Sequence, residues 1–197
     1  MKRGEATRQR IIEKAAELFN SKGFAGASLS ELMAATGLNK GGIYNHFKNK
    51  DEILAEAFNY SVSRVEGKLV ALIKDEDTAL GQLNKVVEFF REYPYNPVVK
   101  GGCPILNSIV YADNTHPVFE KQVKLVVERL IGTLEMLISN AVKEGTLRKN
   151  LDAKREAVLI FSMIEGGVAI SRNSGNTEYM GIVIDHVKKY ISEDMAG

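Results

Sequence analysis

The chain has 197 residues, 45% of them hydrophobic and 26% charged, with a formal net charge of +1. That length and apolar share allow a sizeable core in one large or two small domains, and no apolar run approaches the roughly 18 residues of a membrane span. The single cysteine, Cys103, excludes an internal disulfide, and charged residues begin at Lys2 where a secretory leader would be apolar, so a cytoplasmic setting is expected.

The small net charge hides an asymmetry. Residues 1–50 carry nine Lys or Arg against four Glu, a net of +5, which leaves −4 for the remainder. A basic head on a mildly acidic body suits a domain that meets phosphates, although a solvated basic terminus would look the same.

In chain order, residues 5–22 read as a first helix. Ile11, Ile12, Ala15, Leu18 and Phe19 recur at helical spacing, and Arg8, Arg10, Glu13, Lys14 and Glu17 face away from them. Gly23 ends it, and Lys2, Arg3 or Arg8 could reach a phosphate from this arm. Ser28 and Glu31 form an S-x-x-E capping box, opening a short second helix with Leu29, Leu32 and Met33 on one stripe. Gly37 permits a sharp exit. Asn39 then caps a third helix with Ile43 and Phe47 on one face and Lys40, Gly41, Tyr44, Asn45 and His46 on the other. Two short helices about a glycine-containing turn make a helix-turn-helix, whose second helix enters a DNA major groove.

Asp51 and Glu52 suit the positive end of a fourth helix, 51–73, with Ile53, Leu54, Ala57, Phe58, Val62, Val65, Leu69, Leu72 and Ile73 as its apolar set. Thr78 caps a fifth helix reaching about 92. Three of the four prolines lie within 93–104, which marks a loop before a short sixth helix that Pro104 opens. Thr115 caps a seventh helix over 116–144, Asp152 an eighth to 171, and a ninth covers 177–192. No stretch has strand periodicity. The expected fold is all-α with nine helices: a three-helix DNA-binding head in residues 1–50 and a helical-bundle body in 51–197 for effector binding and dimerisation.

The run Gly37-Leu38-Asn39-Lys40-Gly41-Gly42-Ile43-Tyr44-Asn45-His46-Phe47-Lys48-Asn49-Lys50-Asp51 closely resembles the DNA-binding signature of TetR-family transcriptional regulators. Leu38, Asn39 and Ile43 stand where valine, serine and leucine are commoner, all conservative departures. The resemblance implies that Ser28, Tyr44, His46 and Lys50 hold the DNA backbone. In the body it is one of architecture, with the segment Gly101-Gly102-Cys103-Pro104-Ile105-Leu106-Asn107 echoing a subgroup of the family.

The chemistry of the third helix suits base reading. Lys40 can donate to guanine O6 and N7, Asn45 can pair with adenine N6 and N7, and Gly41 and Gly42 let the backbone approach the bases. With Asn39 these residues form the groove-facing start of the helix. Two glycines destabilise an isolated helix by about 1–2 kcal/mol, so DNA is expected to firm it. The plainer alternatives place the Tyr44 ring in the head core and leave His46 merely exposed.

One recognition helix reads few base pairs, so a homodimer with heads about 34–36 Å apart on a palindromic operator is expected. Gly166 and Gly167 make a small-residue patch that the resemblance assigns to the dimer. Phe161, Ile164, Ile170, Val183, Ile184 and Val187 then supply area on the eighth and ninth helices, unless they are intrachain core. Phe89, Tyr93, Cys103, Asn107, Tyr111, His116 and Phe119 combine rings with a few polar groups, the makings of a small-molecule pocket enclosed by helices four to eight. Ordinary packing is the competing account of each.

The expected activity is that of a ligand-released transcriptional repressor. An activator of the same architecture and a non-specific architectural DNA binder are the alternatives. Cys103 at a helix start raises a redox-sensor reading, and Cys103, Asp113 and His116 have the residue types of a nucleophile, orienter and base. No catalytic motif surrounds them, so an enzyme is not expected. The three histidines are far apart and have no ligand spacing, so neither a metal nor a cofactor is expected.

Overall fold

The computed structural model describes residues 3–112 and 117–197, apart from the side chains of residues 3, 24, 25 and 110. Nine α-helices carry the described chain: α1 (Arg3–Gly26), α2 (Leu29–Thr36), α3 (Lys40–Tyr44), α4 (Lys50–Ile73), α5 (Ala79–Phe89), α6 (Pro104–Ala112), α7 (Pro117–Lys143), α8 (Ala153–Ser174) and α9 (Glu178–Lys189). No β-strand occurs among the described residues. An isolated antiparallel bridge between Leu147 and Ala196 tethers the C-terminal tail. The all-α expectation therefore holds.

The chain divides into two compact units, each drawn from two segments. Unit 1 comprises Met1–Glu66 and Val98–Val123; unit 2 comprises Gly67–Pro97 and Lys124–Gly197. The units do not follow the expected division at residue 50. The first part of α4, all of α6 and the start of α7 group with the head.

Unit 1 is built around the buried stripe of α1. Ile11, Ala15 and Phe19 meet Leu32 of α2, Ile43 of α3, Phe47, and Ile53, Leu54 and Phe58 of α4, all fully or nearly fully buried. Gly23 departs from helical geometry at φ 71° and ψ 163°, so the regular part of α1 ends near the expected residue 22. The capping box at Ser28 forms in both directions: Ser28 Oγ accepts from Glu31 N at 3.2 Å, and Ser28 N donates to Glu31 Oε2 at 2.9 Å. Gly37 closes α2 in the left-handed region at φ 67°.

The start of α4 has a cap that the sequence reading passed over. Glu52 N donates to Asn49 Oδ1 at 2.8 Å, so Asn49 caps the helix, and the Glu52 carboxylate reaches back past the cap to accept from Lys48 N at 2.6 Å. The buried set of α4 ends at Val62. Leu72, expected inward, is 40% exposed.

In unit 2, α8 and α9 pack on each other through Ile160, Ile164, Val168, Met180, Ile184 and Val187. α5 joins α9 through ion pairs: Arg91 to Glu88 and to Asp185 (2.7 Å), and Lys188 to Glu88 (2.9 Å). The fifth helix stops at Phe89, three residues before its expected end, as Phe90 N turns to Val87 O at 3.2 Å. Phe89, Phe90 and Tyr93 then cluster with ring centroids 5.1–5.5 Å apart. The ninth helix ends as a π-helical turn, Tyr190–Asp194. There Tyr190 Oη donates to Glu156 Oε2 at 2.5 Å, and this carboxylate is 1% exposed on α8.

Candidate functional site

The surface of the head is set by what α3 buries. Helix α3 ends at Tyr44, short of the expected Phe47; Ile43, 0% exposed, pins its inner face, and Phe47, 3% exposed, anchors the chain just past its end. Asn39 Oδ1 accepts from Gly42 N at 2.7 Å and caps it. A β-carbon on Gly42 would come 3.3 Å from that same oxygen, so the second glycine keeps the cap tight. With one face fixed, Lys40, Gly41 and Asn45 are exposed together on the other, and Gly42, Tyr44 and His46 are half-buried. Tyr44 is thus not a core residue. The N-terminal end of α1 passes beside His46: a β-carbon on Gly4 would lie 3.9 Å from its ring.

Two of the expected phosphate donors are engaged within the head. Ser28 Oγ donates to Glu31 Oε2 at 2.9 Å, and the Glu31 carboxylate also pairs with Lys22. The Lys22 ammonium, the Ser28 amide and the Ser28 hydroxyl together pull the Glu31 carboxyl down to about 2. Lys50 Nζ donates to Ala27 O at 2.6 Å and sits 5.8 Å from the centre of the Phe19 ring. Its pKa is lowered by partial burial, against the pull of Asp51 and Glu31. Arg8, expected on a free arm, lies 4.8 Å over the Phe47 ring and bonds Glu56 at 3.0 Å, clamping α1 to α4. Lys2 and the Arg3 side chain lie outside the described residues.

The second feature is a recess open to solvent and lined entirely by unit 1. Its walls come from α1 (Phe19, Asn20), α4 (Leu54, Phe58, Ser61), α6 (Asn107, Ser108, Tyr111) and α7 (Phe119), with small residues between them. Phe58 and Phe119 meet edge to face at 5.3 Å, and Tyr111 approaches Phe119 at 6.3 Å. Burial, with a smaller push from Asp51, raises the Tyr111 phenol pKa, so Tyr111 is a neutral hydroxyl at pH 7.

Of the residues expected to line an effector pocket, Asn107, Tyr111 and Phe119 come together here. Phe89 and Tyr93 do not: they belong to the aromatic cluster of unit 2. Cys103 is 3% exposed and does not line the recess. That burial denies it the access that thiol exchange needs. His116, Asp113 and the helix cap expected at Thr115 lie outside the described residues. Helix α1 was missing from the expectation, because nothing in the local pattern of Phe19 and Asn20 shows that α6 covers them.

The residues expected at a dimer surface also separate. Ile164, Ile184 and Val187 are 0–3% exposed inside the α8–α9 packing, and Gly167 lies against Met180 and Val183, where a β-carbon would meet Met180 Sδ at 2.9 Å. These four serve intrachain packing, which is a correction to the expected interface. Phe161 and Val183 are half-buried, Gly166 is exposed with open space before it, and Ile170 is 53% exposed. Leu159, Tyr179 and Ile182, the last 64% exposed, extend the open apolar face and were not anticipated. Leu159, Met163, Gly166 and Ile170 follow a 4-3-4 spacing, so they form one stripe on α8.

A capped helix-turn-helix with its polar face outward, carried on an all-helical chain, defines a helix-turn-helix DNA-binding regulator. Comparisons with known proteins agree. The model of bacterial regulatory proteins of the tetR family matches residues 11–57, and that of the tetracyclin repressor-like C-terminal domain matches residues 79–187. A TetR transcriptional regulator from Chloroflexus aurantiacus superposes with a TM-score of 0.95 at 33% identity, covering 100% of this chain and 99% of that one. A TetR-family regulator from Cytophaga hutchinsonii gives 0.91 at 29% identity, covering 100% and 98%. In sequence, the HTH-type transcriptional regulator TtgR of Pseudomonas putida is 29% identical over 166 residues, 82% of this chain and 78% of that protein. The chain belongs to the TetR family: it is a DNA-binding transcriptional regulator, a family of regulators rather than enzymes.

Proposed function

We propose that the protein is a homodimeric, sequence-specific repressor that leaves a palindromic operator when a small molecule binds it. The observation that carries the reading is the division of α3. Ile43 and Phe47 anchor one face while Lys40, Gly41 and Asn45 present a donor, a bare backbone and an amide on the other. Lys40 and Asn45 read guanine and adenine edges, and Gly41 and Gly42 let the helix approach the groove. Tyr44 and His46 hold phosphate beside it. Lys50 holds the turn through Ala27 O and adds positive charge beside the DNA backbone. Ser28 donates to phosphate only by giving up Glu31, and Asn39 acts by firming α3.

Residues 1–50 supply the reading surface, and 51–197 supply the dimer and most of the effector site, with α1 contributing a wall of the recess. The exposed apolar stripe of α8, continued by Tyr179 and Ile182, is the surface by which two copies pair. No described helix is long and apolar enough to cross a membrane, and the protein works in the cytoplasm without a cofactor. An activator would differ only in the sign seen with a reporter gene.

Titrating palindromic and random duplexes across a salt series tests the reading. Lys40→Ala and Asn45→Ala should each cost about 1–3 kcal/mol on the palindrome and much less on random DNA. Equal affinity for both duplexes would instead point to an architectural DNA binder.

A further inference from the structure

None of the residues lining the recess of unit 1 is charged, and four of them are rings: Phe19, Phe58, Tyr111 and Phe119. A charged molecule entering it would lose hydration with no countercharge on the walls. A flat uncharged ring system would gain edge and face contacts like the one Phe58 and Phe119 already make. Beside the hydroxyls of Ser61, Ser108 and Tyr111, the wall carries an amide pair, Asn20 and Asn107, and that pair also holds α1. Asn20, 8% exposed, donates from Nδ2 to the carbonyls of Lys100 at 3.1 Å and Gly102 at 2.9 Å. Asn107 Nδ2 in turn approaches Asn20 O at 2.9 Å, Asn20 Oδ1 at 2.8 Å and Gly101 O at 3.1 Å. Gly101, at φ 104°, lies so close to α1 that a β-carbon would stand 2.5 Å from the Asn20 carbonyl carbon. The end of α1 is therefore latched to α6 and its preceding loop by two residues that line the recess.

We propose that the recess binds a small, uncharged aromatic molecule whose oxygen accepts from Asn107, and that occupation breaks the Asn107–Asn20 latch and loosens α1 from α6. Asn107 Nδ2 has two hydrogens and already serves three oxygens, so a further acceptor displaces one of them. Helix α1 buries Ile11, Ala15 and Phe19 against the helices that carry the recognition surface. Releasing its C-terminal end alters the posture of the head and weakens operator binding. This deepens the ligand-released regulator reading and rests on it.

The test uses the full chain and 2-naphthol, with 2-naphthoate as the charged isostere. The protein has no tryptophan, so excitation above the tyrosine band reads the probe alone. Saturable anisotropy is expected for 2-naphthol and not for 2-naphthoate. Ser108→Leu fills the recess from a half-buried position and should weaken binding about tenfold; Ser108→Val is the milder variant if the leucine lowers the melting temperature. Saturating 2-naphthol should lower affinity for a palindrome selected from random duplexes by about fivefold or more. Asn107→Ala should show that lower affinity without probe and respond little to it. Absent saturation, binding undiminished by both Ser108 variants, or operator affinity unmoved by saturating probe would each overturn the proposal. If the protein selects no duplex at all, the regulator reading is what fails, and the recess is judged on anisotropy alone.

Discussion

Single side chains in this protein do their work by satisfying groups that would otherwise be costly. Glu156 is the clearest case: its carboxylate is 1% exposed and accepts from Tyr190 Oη and from Arg155 at 3.1 Å. The bond to Glu156, together with burial, raises the Tyr190 phenol pKa and keeps it a donor. Tyr190→Phe removes one bond to a buried charge and should cost about 1.5–3 kcal/mol, read as a lower urea midpoint at unchanged slope. Glu31 shows the exposed counterpart. Its carboxyl is held at about 2 in the folded protein, below the ordinary 4.5, so its contribution is complete above pH 4.5. That contribution is lost as pH falls from 4.5 through about 2. Glu31→Gln should flatten the fall in melting temperature over that window and leave the rest of the pH profile in place.

Among the helices, α3 has least of its own to rely on. It is five residues long and contains Gly41 and Gly42, yet Asn39 closes its start and Ile43 and Phe47 hold it from below. Asn39→Ala should cost about 0.5–2 kcal/mol of stability and weaken palindromic and random DNA alike, since it disturbs posture rather than base contact. Calorimetry and the duplex titrations check the two halves. This helix was readable from the chain because caps and the Ile43–Phe47 spacing are local signals. The cap that Asn49 gives to Glu52 N rests on an equally local signal. The α8–α9 region was less readable for a physical reason. An apolar stripe at helical spacing looks the same whether it meets another helix of its own chain or a partner. Ile184 at 0% and Ile182 at 64% exposure are two residues apart and chemically identical.

Across the molecule, the open apolar face of α8 and α9 is the feature that a monomer would leave unused. Ile170→Glu with Ile182→Glu should shift the sedimentation coefficient to that of a monomer. It should also abolish palindrome preference, while circular dichroism keeps its helical signal. A dimer that persists in the double variant would place the interface elsewhere. The grouping of α6 and the start of α7 with the head puts the recess directly against α1.

Among the described residues, the order and number of helices, the helix-turn-helix and its polar face were all written in the chain, because caps, turns and helical periodicity act over a few neighbouring residues. Which apolar residues stay exposed, which rings share a cavity and which asparagines meet depended on contacts between segments distant in sequence. Asn20 and Asn107 are 87 residues apart, and no local pattern pairs them. Their meeting is a property of the packed chain, made possible where Gly101 lets two backbones touch.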